Sequence, residues 1–187
     1  MNEFVILGIA GSLRKDSYNR SLLRAATELV PEGVRLETFE LEGIPLFNQD
    51  EEQNPHPKVA ELKQRVRAAD AILFVTPEYN YSIPGVLKNA IDCASRPYGD
   101  SAWTEKPVAV MGASVGTLGT ARAQYHLRQA FVFLNMHAVN QPEVMVANAS
   151  DRFDQNGKLT DEKTKKLVQQ LLAELVNWTR RLSTPTD

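Results

Sequence analysis

Residues Phe4–Leu23 read FVILGIAGSLRKDSYNRSLL, and their order of apolar and polar residues indicates the fold class. The first seven, Phe4–Ala10, form an almost unbroken apolar run, which is typical of a strand buried on both faces of a parallel sheet. A polar loop starts at Gly11, and apolar residues then return with helical spacing from Leu22. A buried strand followed by a polar loop and an amphipathic helix is the start of an alternating α/β chain.

The same alternation continues along the chain. Further strands are predicted for VRLETFEL (34–41), AILFVT (71–76), VAVMGA (108–113) and the weaker EVMVAN (143–148). The second strand alternates between apolar and polar residues, as an edge strand does. Five strand–helix repeats predict a three-layer α/β domain with a five-stranded parallel sheet, and the flavodoxin-like order 2-1-3-4-5 has this count and size. We expect one domain over residues 1–187. Apolar residues with helical spacing mark the helices, at Leu22, Leu23, Ala26 and Leu29; Val59, Leu62, Val66 and Ala69; Leu87, Ala90, Ile91 and Ala94; Leu127, Ala130, Phe131 and Leu134; and Val168, Leu171, Leu175 and Trp178. Thr160 or Asp161 is predicted to cap the start of the last helix.

Composition narrows the function classes. The 187 residues carry a formal net charge of -2, which gives no reason to expect nucleic acid or a membrane as a partner. Cys93 is the one cysteine, so neither an internal disulfide nor a cysteine-based metal cluster is possible. The apolar run at Phe4–Ala10 is too short to span a membrane and has no basic segment before it, so we expect a cytoplasmic protein.

The loop after the first strand has the features of an anion site. Ligands of open α/β sheets bind beyond the carboxyl ends of the strands, close to where the strand order reverses, which here is between strands 1 and 3. A helix that begins near residues 17–19 attracts anions at its N-terminus, and Arg14 can clamp a phosphate with two bonds. Further side-chain donors are Ser12, Ser17 and Asn19. The single glycine of this loop favours a monophosphate over a dinucleotide. The alternative to an anion site is an ordinary polar loop in which Ser17 caps the helix.

Two further loops leave the same edge of the predicted sheet. TPEYNYSIPGVLKNAIDCA (76–94) places Tyr79 and Tyr81 between two stiffening prolines, which suits a planar ring, although they could also be ordinary surface aromatics. In GASVGTLGTARAQ (112–124), three glycines would let backbone N–H groups approach the edge of a flat ligand, or would form a flexible turn.

Known catalytic motifs are missing from the sequence. It contains no Walker lysine motif, no H-E-x-x-H and no G-x-S-x-G. His56, His126 and His137 are scattered and are expected to be structural or solvated. We therefore predict neither a catalytic side chain nor a metal site.

These three loops together closely resemble the NADPH-dependent FMN reductase family, whose members include quinone, azo-dye and chromate reductases with a flavodoxin-like fold. The resemblance covers Phe4 to about Ala147, and the second loop is its most specific part. Many members have Trp where this chain has Cys93. The resemblance implies FMN as the cofactor and NADPH or NADH as the reductant. It also implies a homodimer or homotetramer. The helix around Tyr125, Leu127 and Phe131 could supply the contact between subunits, or these residues could belong to the core. The site residues that it implies are Ser12, Arg14, Ser17 and Asn19 for the phosphate, Pro77, Glu78, Tyr79 and Asn80 along the ring, and Ser114 to Gly116 at the pyrimidine edge.

The function implied is an NAD(P)H oxidoreductase. A reduced nicotinamide would donate hydride to the flavin, and a quinone, azo dye, chromate, nitroaromatic or free flavin would then accept the electrons. One alternative is a flavodoxin-type electron-transfer protein without its own NAD(P)H oxidase activity, which the near-neutral charge disfavours. Another is a binding module that holds a different nucleotide in the first loop.

Overall fold

Strands and helices alternate along the chain in the computed structural model, which describes residues 3–184. The strands are β1 (Phe4–Ala10), β2 (Val34–Phe39), β3 (Ala71–Val75), β4 (Pro107–Ala113), β5 (His137–Ala138) and β6 (Val144–Val146). The helices are α1 (Tyr18–Thr27), α2 (Pro57–Ala68), α3 (Gly85–Ala94), α4 (Ala121–Phe133) and α5 (Glu162–Ser183). No helix within residues 3–184 has both the length and the apolar character that crossing a membrane requires.

The sheet is parallel and has the order β2-β1-β3-β4-β5, which confirms the predicted order. β3 and β4 are buried throughout, as is β1 over its last five residues. β2 alternates between buried and exposed positions at the edge. Continuous apolar runs therefore mark the central strands, and alternation marks the edge strand.

The far edge of the sheet differs from the prediction of one strand over residues 143–148. Two short strands lie there: His137 of β5 pairs with Pro107 at the start of β4, and Val144 of β6 pairs with Met111 near its end. Pro142 lies between the two strands and has no backbone N–H to donate to a ladder. The described sheet therefore has six strands where the sequence predicts five.

Helices cover both faces of the sheet, and each face has its own apolar core. α1 and α5 pack on one face, and α2, α3 and α4 pack on the other. Neighbouring residues of β3 point to opposite faces, so that Leu73 belongs to the first core and Phe74 to the second. The loop residue Trp103 is fully buried beside Phe74, with ring centroids 5.6 Å apart. Leu127 and Phe131 of α4 belong to this second core.

Helix caps fix where α1 and α5 begin. Ser17 precedes α1, and its Oγ accepts a hydrogen bond from the Asn19 N–H, 3.3 Å away. Asp161 precedes α5 and accepts from the Thr164 N–H at 2.8 Å, so it is Asp161 and not Thr160 that caps this helix. Both helix starts were predicted from the preference of short polar side chains for this position.

Candidate functional site

Three loops meet at the carboxyl edge of the sheet, because β1, β3 and β4 are neighbouring parallel strands. They are the first loop of residues 11–17, the second loop of residues 76–84 and the third loop of residues 114–120. Backbone bonds extend the ladder into them: the Gly11 N–H donates to the Val75 carbonyl, 2.9 Å away. The three segments chosen from sequence are therefore brought together.

Gly11 lets the first and second loops approach each other. A Cβ at this position would lie 3.0 Å from the Leu87 side chain and 3.3 Å from Pro77. A larger residue would push against the start of the second loop and against α3. Gly11 thus allows the first loop to pack closely against the second loop and α3, and the other residues of the first loop supply the polar groups.

The first loop carries hydrogen-bond donors around the N-terminus of α1. Ser12 and Ser17 are only 4% and 3% exposed. Each hydroxyl oxygen accepts a backbone N–H, from Arg14 at 3.4 Å and from Asn19 at 3.3 Å, and each therefore keeps its own proton to donate. The Arg14 side chain is exposed and makes no ion pair with residues 3–184. Buried hydroxyl protons, a helix N-terminus and a free guanidinium form a donor set that fits a phosphate monoester.

Asn19 has a structural task that the sequence did not reveal. Its side-chain amide donates to the Ala113 carbonyl and accepts from the Ala113 N–H, each at 2.8 Å. This pair of buried bonds joins the start of α1 to the end of β4. One amide N–H of Asn19 remains to donate, so its contribution to an anion site is smaller than the residue type suggests.

A tight turn shapes the second loop. Tyr79 and Ser82 exchange both backbone hydrogen bonds, at 3.1 and 3.0 Å, and the residues between them, Asn80 and Tyr81, have φ values of 49° and 65°. Positive φ at both central positions is the geometry of a type I′ turn. Residues other than glycine adopt it at a cost of roughly 1–3 kcal/mol each. Tyr79 and Tyr81 are 50% and 66% exposed, so both rings border solvent at this edge.

Glu78 fastens the second loop to α4. Its side chain is 5% exposed, and its carboxylate accepts from the Arg122 N–H at 3.0 Å, the Ala123 N–H at 3.2 Å and the Arg122 Nε at 2.5 Å. Thr120, at the N-cap position of α4, makes no side-chain cap bond, so Glu78 serves as the cap. A carboxylate at a helix N-terminus is favoured by the helix dipole. Because the carboxylate points toward α4, only the backbone of Glu78 remains to line a planar ring.

Two more contacts hold the second loop against α4. The Arg122 guanidinium lies over the Tyr81 ring, 3.6 Å from its centroid, and Ser82 Oγ is hydrogen-bonded to His126 Nδ1 at 2.9 Å. The hydrogen bond to Ser82 agrees with the expectation that His126 is structural. His56 caps α2 by accepting the Lys58 N–H at 3.2 Å.

The third loop offers donors other than those expected. Ser114 Oγ accepts the Gly116 N–H at 3.1 Å, so that glycine N–H is already used. The N–H groups of Val115 and Thr117 make no hydrogen bond with residues 3–184. They are therefore among the donors available at this edge, and residue type alone could not distinguish them.

Gly112 near the end of β4 and Gly119 in the third loop serve packing. A Cβ on Gly112 would overlap Thr120 Oγ1 and the Thr76 carbonyl. Gly119 has a φ of 61° and sits against the backbone of Met145, 2.9 Å from where a Cβ would be. A Cβ on Gly116 would meet Ser114 Oγ at 3.5 Å, an ordinary contact distance, so this glycine is not required for packing.

A cleft of about 490 Å³ lies between the second and third loops. Asn80, Tyr81 and Arg122 line one side, and Ser114 and Thr117 line the other. A smaller cavity of about 40 Å³ borders Cys93, and none of its lining residues belongs to the three loops. Burial raises the pKa of the Cys93 thiol, so the thiol stays protonated and fits the predicted small buried side chain.

This strand order, with its loops meeting where the order reverses, defines a flavodoxin-like fold. The family described as NADPH-dependent FMN reductase matches residues 4–151. The chain belongs to this family. The resemblance that the three loops carry in the sequence is thereby confirmed.

Individual relatives agree with this membership. An NAD(P)H-dependent FMN reductase of Pseudomonas aeruginosa is 52% identical over 182 residues, which is 97% of this chain and 98% of that protein. A quinone reductase of Pseudomonas putida is 44% identical over 173 residues, 92% of each chain. Among solved structures, the flavoenzyme NAD(P)H:(acceptor) oxidoreductase FerB of Paracoccus denitrificans superposes with a TM-score of 0.85 at 37% identity, covering 95% of this chain and 98% of that one.

Proposed function

We propose that this protein is an FMN-dependent NAD(P)H oxidoreductase that reduces quinones and similar small acceptors. The observation that carries the proposal is the first loop, where two buried hydroxyls and the exposed Arg14 surround the N-terminus of α1 beside a ring-sized cleft. Family membership supports the cofactor and the reaction class.

The phosphate of FMN would be held by Ser12, Arg14, Ser17 and the remaining amide N–H of Asn19. Its ring would lie along the backbone of Pro77 to Asn80, with its pyrimidine edge at Ser114 to Gly116. The N–H groups of Val115 and Thr117 are suitably unoccupied donors for that edge. Together these groups would fix the phosphate at one end and the ring at the other.

When bound, FMN supplies the redox chemistry, taking two electrons from the nicotinamide and passing them to the acceptor. In the net reaction NAD(P)H gives up a hydride and becomes NAD(P)⁺, solvent supplies one proton, and a quinone becomes a hydroquinone. The chain's own residues bind and orient the reactants, and none of them needs to act as nucleophile. The proposal includes azo dyes, chromate, nitroaromatics and free flavin as acceptors, because a reduced flavin donates electrons to all of them.

The protein is further proposed to act as a homodimer or homotetramer. Leu127 and Phe131 are core residues, but Tyr125, Val132 and Phe133 of the same helix are 50%, 82% and 77% exposed. Large apolar side chains this exposed favour a protein contact. Sedimentation of the wild type and of a Val132→Lys variant tests this: the variant should dissociate, and a monomeric wild type would contradict it.

The proposed function is tested by spectroscopy. Protein purified with FMN should be yellow, and anaerobic addition of NADPH should bleach the flavin absorbance, which a quinone should then restore. An electron carrier without its own NAD(P)H oxidase activity would keep its colour when NADPH is added. Protein that binds no FMN would contradict the proposal outright.

A further inference from the structure

The segment that follows β6 runs beside the third loop at the carboxyl edge of the sheet. Val146 of β6 pairs with Ala113 of β4, so these two parallel strands end together. The Ser114 N–H donates to the Val146 carbonyl at 2.9 Å and extends the ladder into the third loop. Residues 147–149 therefore lie against the loop to which the proposed function assigns the pyrimidine edge of the flavin ring.

Two backbone hydrogen bonds tie this segment to the third loop. The Asn148 N–H donates to the Gly116 carbonyl at 3.2 Å. The Ala149 N–H donates to the Ser114 carbonyl at 3.0 Å. A peptide unit is planar and trans, so its C=O and its N–H point in opposite directions. Because both carbonyls face residues 148 and 149, the N–H groups that share their peptide units must face away from these residues.

Those N–H groups belong to Val115 and Thr117, which are the free donors of the third loop. The two bonds to residues 148 and 149 therefore turn both donors toward the same side of the loop. Thr117 lines the cleft of about 490 Å³, whereas neither Asn148 nor Ala149 lines it. The side of the loop that is turned away from residues 148 and 149 is thus the side of the cleft.

Asn148 has an uncommon backbone conformation that brings both N–H groups to the third loop. Its φ of 48° and ψ of 50° are left-handed, and asparagine adopts such values more readily than most residues other than glycine. A β-branched residue adopts them very rarely. The Asn148 side chain makes no capping bond to the helical turn that follows, so what this position supplies is the left-handed turn of the backbone.

We propose that Asn148 is a positioning residue for the flavin ring, because its left-handed backbone holds the third loop with the Val115 and Thr117 N–H groups facing the cleft. The proposal rests on the proposed function, which places the flavin ring at this edge. Two N–H groups directed to one side favour negative charge there, and a flavin ring gains negative charge when it is reduced. Asn148 should therefore affect ring affinity and reduction potential, and leave the phosphate contacts unchanged.

Substitutions at Asn148 that differ in backbone preference test the proposal. Asn148→Val should bind both FMN and riboflavin about tenfold more weakly, because two hydrogen bonds to the ring are misdirected. The reduction potential of its bound flavin should fall by about 30 mV for each tenfold of lost preference for the reduced form. Asn148→Ala should change both quantities less and in the same direction. Asn148→Gly adopts the left-handed conformation freely and should match the wild type.

Asn135→Val is the matched control. Asn135 also has a left-handed backbone, with a φ of 54°. It precedes β5, whose His137 pairs with Pro107 at the start of β4, so it lies at the opposite edge of the sheet. Asn135→Val should lose stability through the same backbone strain and should keep the flavin affinity and the reduction potential of the wild type.

Amide hydrogen exchange in the flavin-free protein tests the same contacts without the cofactor. The N–H groups of residues 148 and 149 should be protected in the wild type and in Asn148→Gly, and should exchange faster in Asn148→Val. An Asn148→Val variant that keeps wild-type exchange or wild-type flavin affinity would overturn the proposal, as would an equal loss of affinity in Asn135→Val. Bleaching of wild-type flavin by NADPH reports separately on the proposed function, so the two failures are distinguishable.

Discussion

At the scale of single residues, the side chain of Glu78 caps α4. The sequence places it beside two tyrosines, and the resemblance assigns it to the flavin ring. The structure buries its carboxylate against the N-terminus of α4, some 44 residues away in the chain. A buried carboxylate is stable only when it is paired and hydrogen-bonded, and here Arg122 and two backbone N–H groups meet that need.

Replacing Glu78 with Ala should lower the free energy of unfolding by about 1–3 kcal/mol, because α4 loses its cap and buried N–H groups lose their acceptor. Glu78→Gln keeps one acceptor oxygen and should lose less. Urea unfolding measures both, with the exposed Glu32→Ala as control. A Glu78→Ala variant as stable as the wild type would show that the cap contributes nothing.

At the scale of elements, local sequence signals predict most of what is observed. Continuous apolar runs identify β1, β3 and β4, and short polar side chains identify the starts of α1 and α5. The far edge of the sheet, where β5 and β6 lie, could not be predicted in the same way, because a strand of two residues such as β5 has no periodicity to detect. Its position follows from pairing with β4, which a pattern in one segment cannot show.

The cap of α5 gives a pH-dependent prediction. Hydrogen bonds from the Thr164 hydroxyl and N–H, with Arg152 nearby, hold the pKa of Asp161 below its ordinary value of 3.8. A carboxyl whose pKa is lowered by folding stabilises the protein above its unfolded pKa, and this contribution is lost as the pH falls through the folded pKa.

Asp161→Ala should therefore cost about 1 kcal/mol of stability at pH 7, and the difference from the wild type should shrink as the pH is lowered below about 4. Asp161→Asn, which also caps well, should lose little at pH 7. Thermal unfolding over this pH range makes the comparison. A deficit in Asp161→Ala that is the same at every pH would contradict the assigned role of the carboxylate.

At the scale of the whole molecule, the site depends on contacts between distant parts of the chain. Asn19 joins α1 to β4 across 94 residues, and Trp103 fills the second core from a loop that no periodic pattern covers. The sequence predicted that the three loops converge, because parallel strands end at a common edge. It could not predict which N–H groups of the third loop stay free, since that depends on how Ser114 and Gly116 bond after folding.

Titration of the flavin-free protein with FMN and with riboflavin, which lacks the phosphate, shows whether the first loop binds the phosphate of FMN. Wild-type protein should bind FMN more tightly than riboflavin. Arg14→Ala should lose about 1.5–3 kcal/mol of FMN affinity with little change for riboflavin, and Arg180→Ala should match the wild type. Equal affinity for the two flavins, or an Arg14→Ala variant that keeps its full affinity for FMN, would contradict the account.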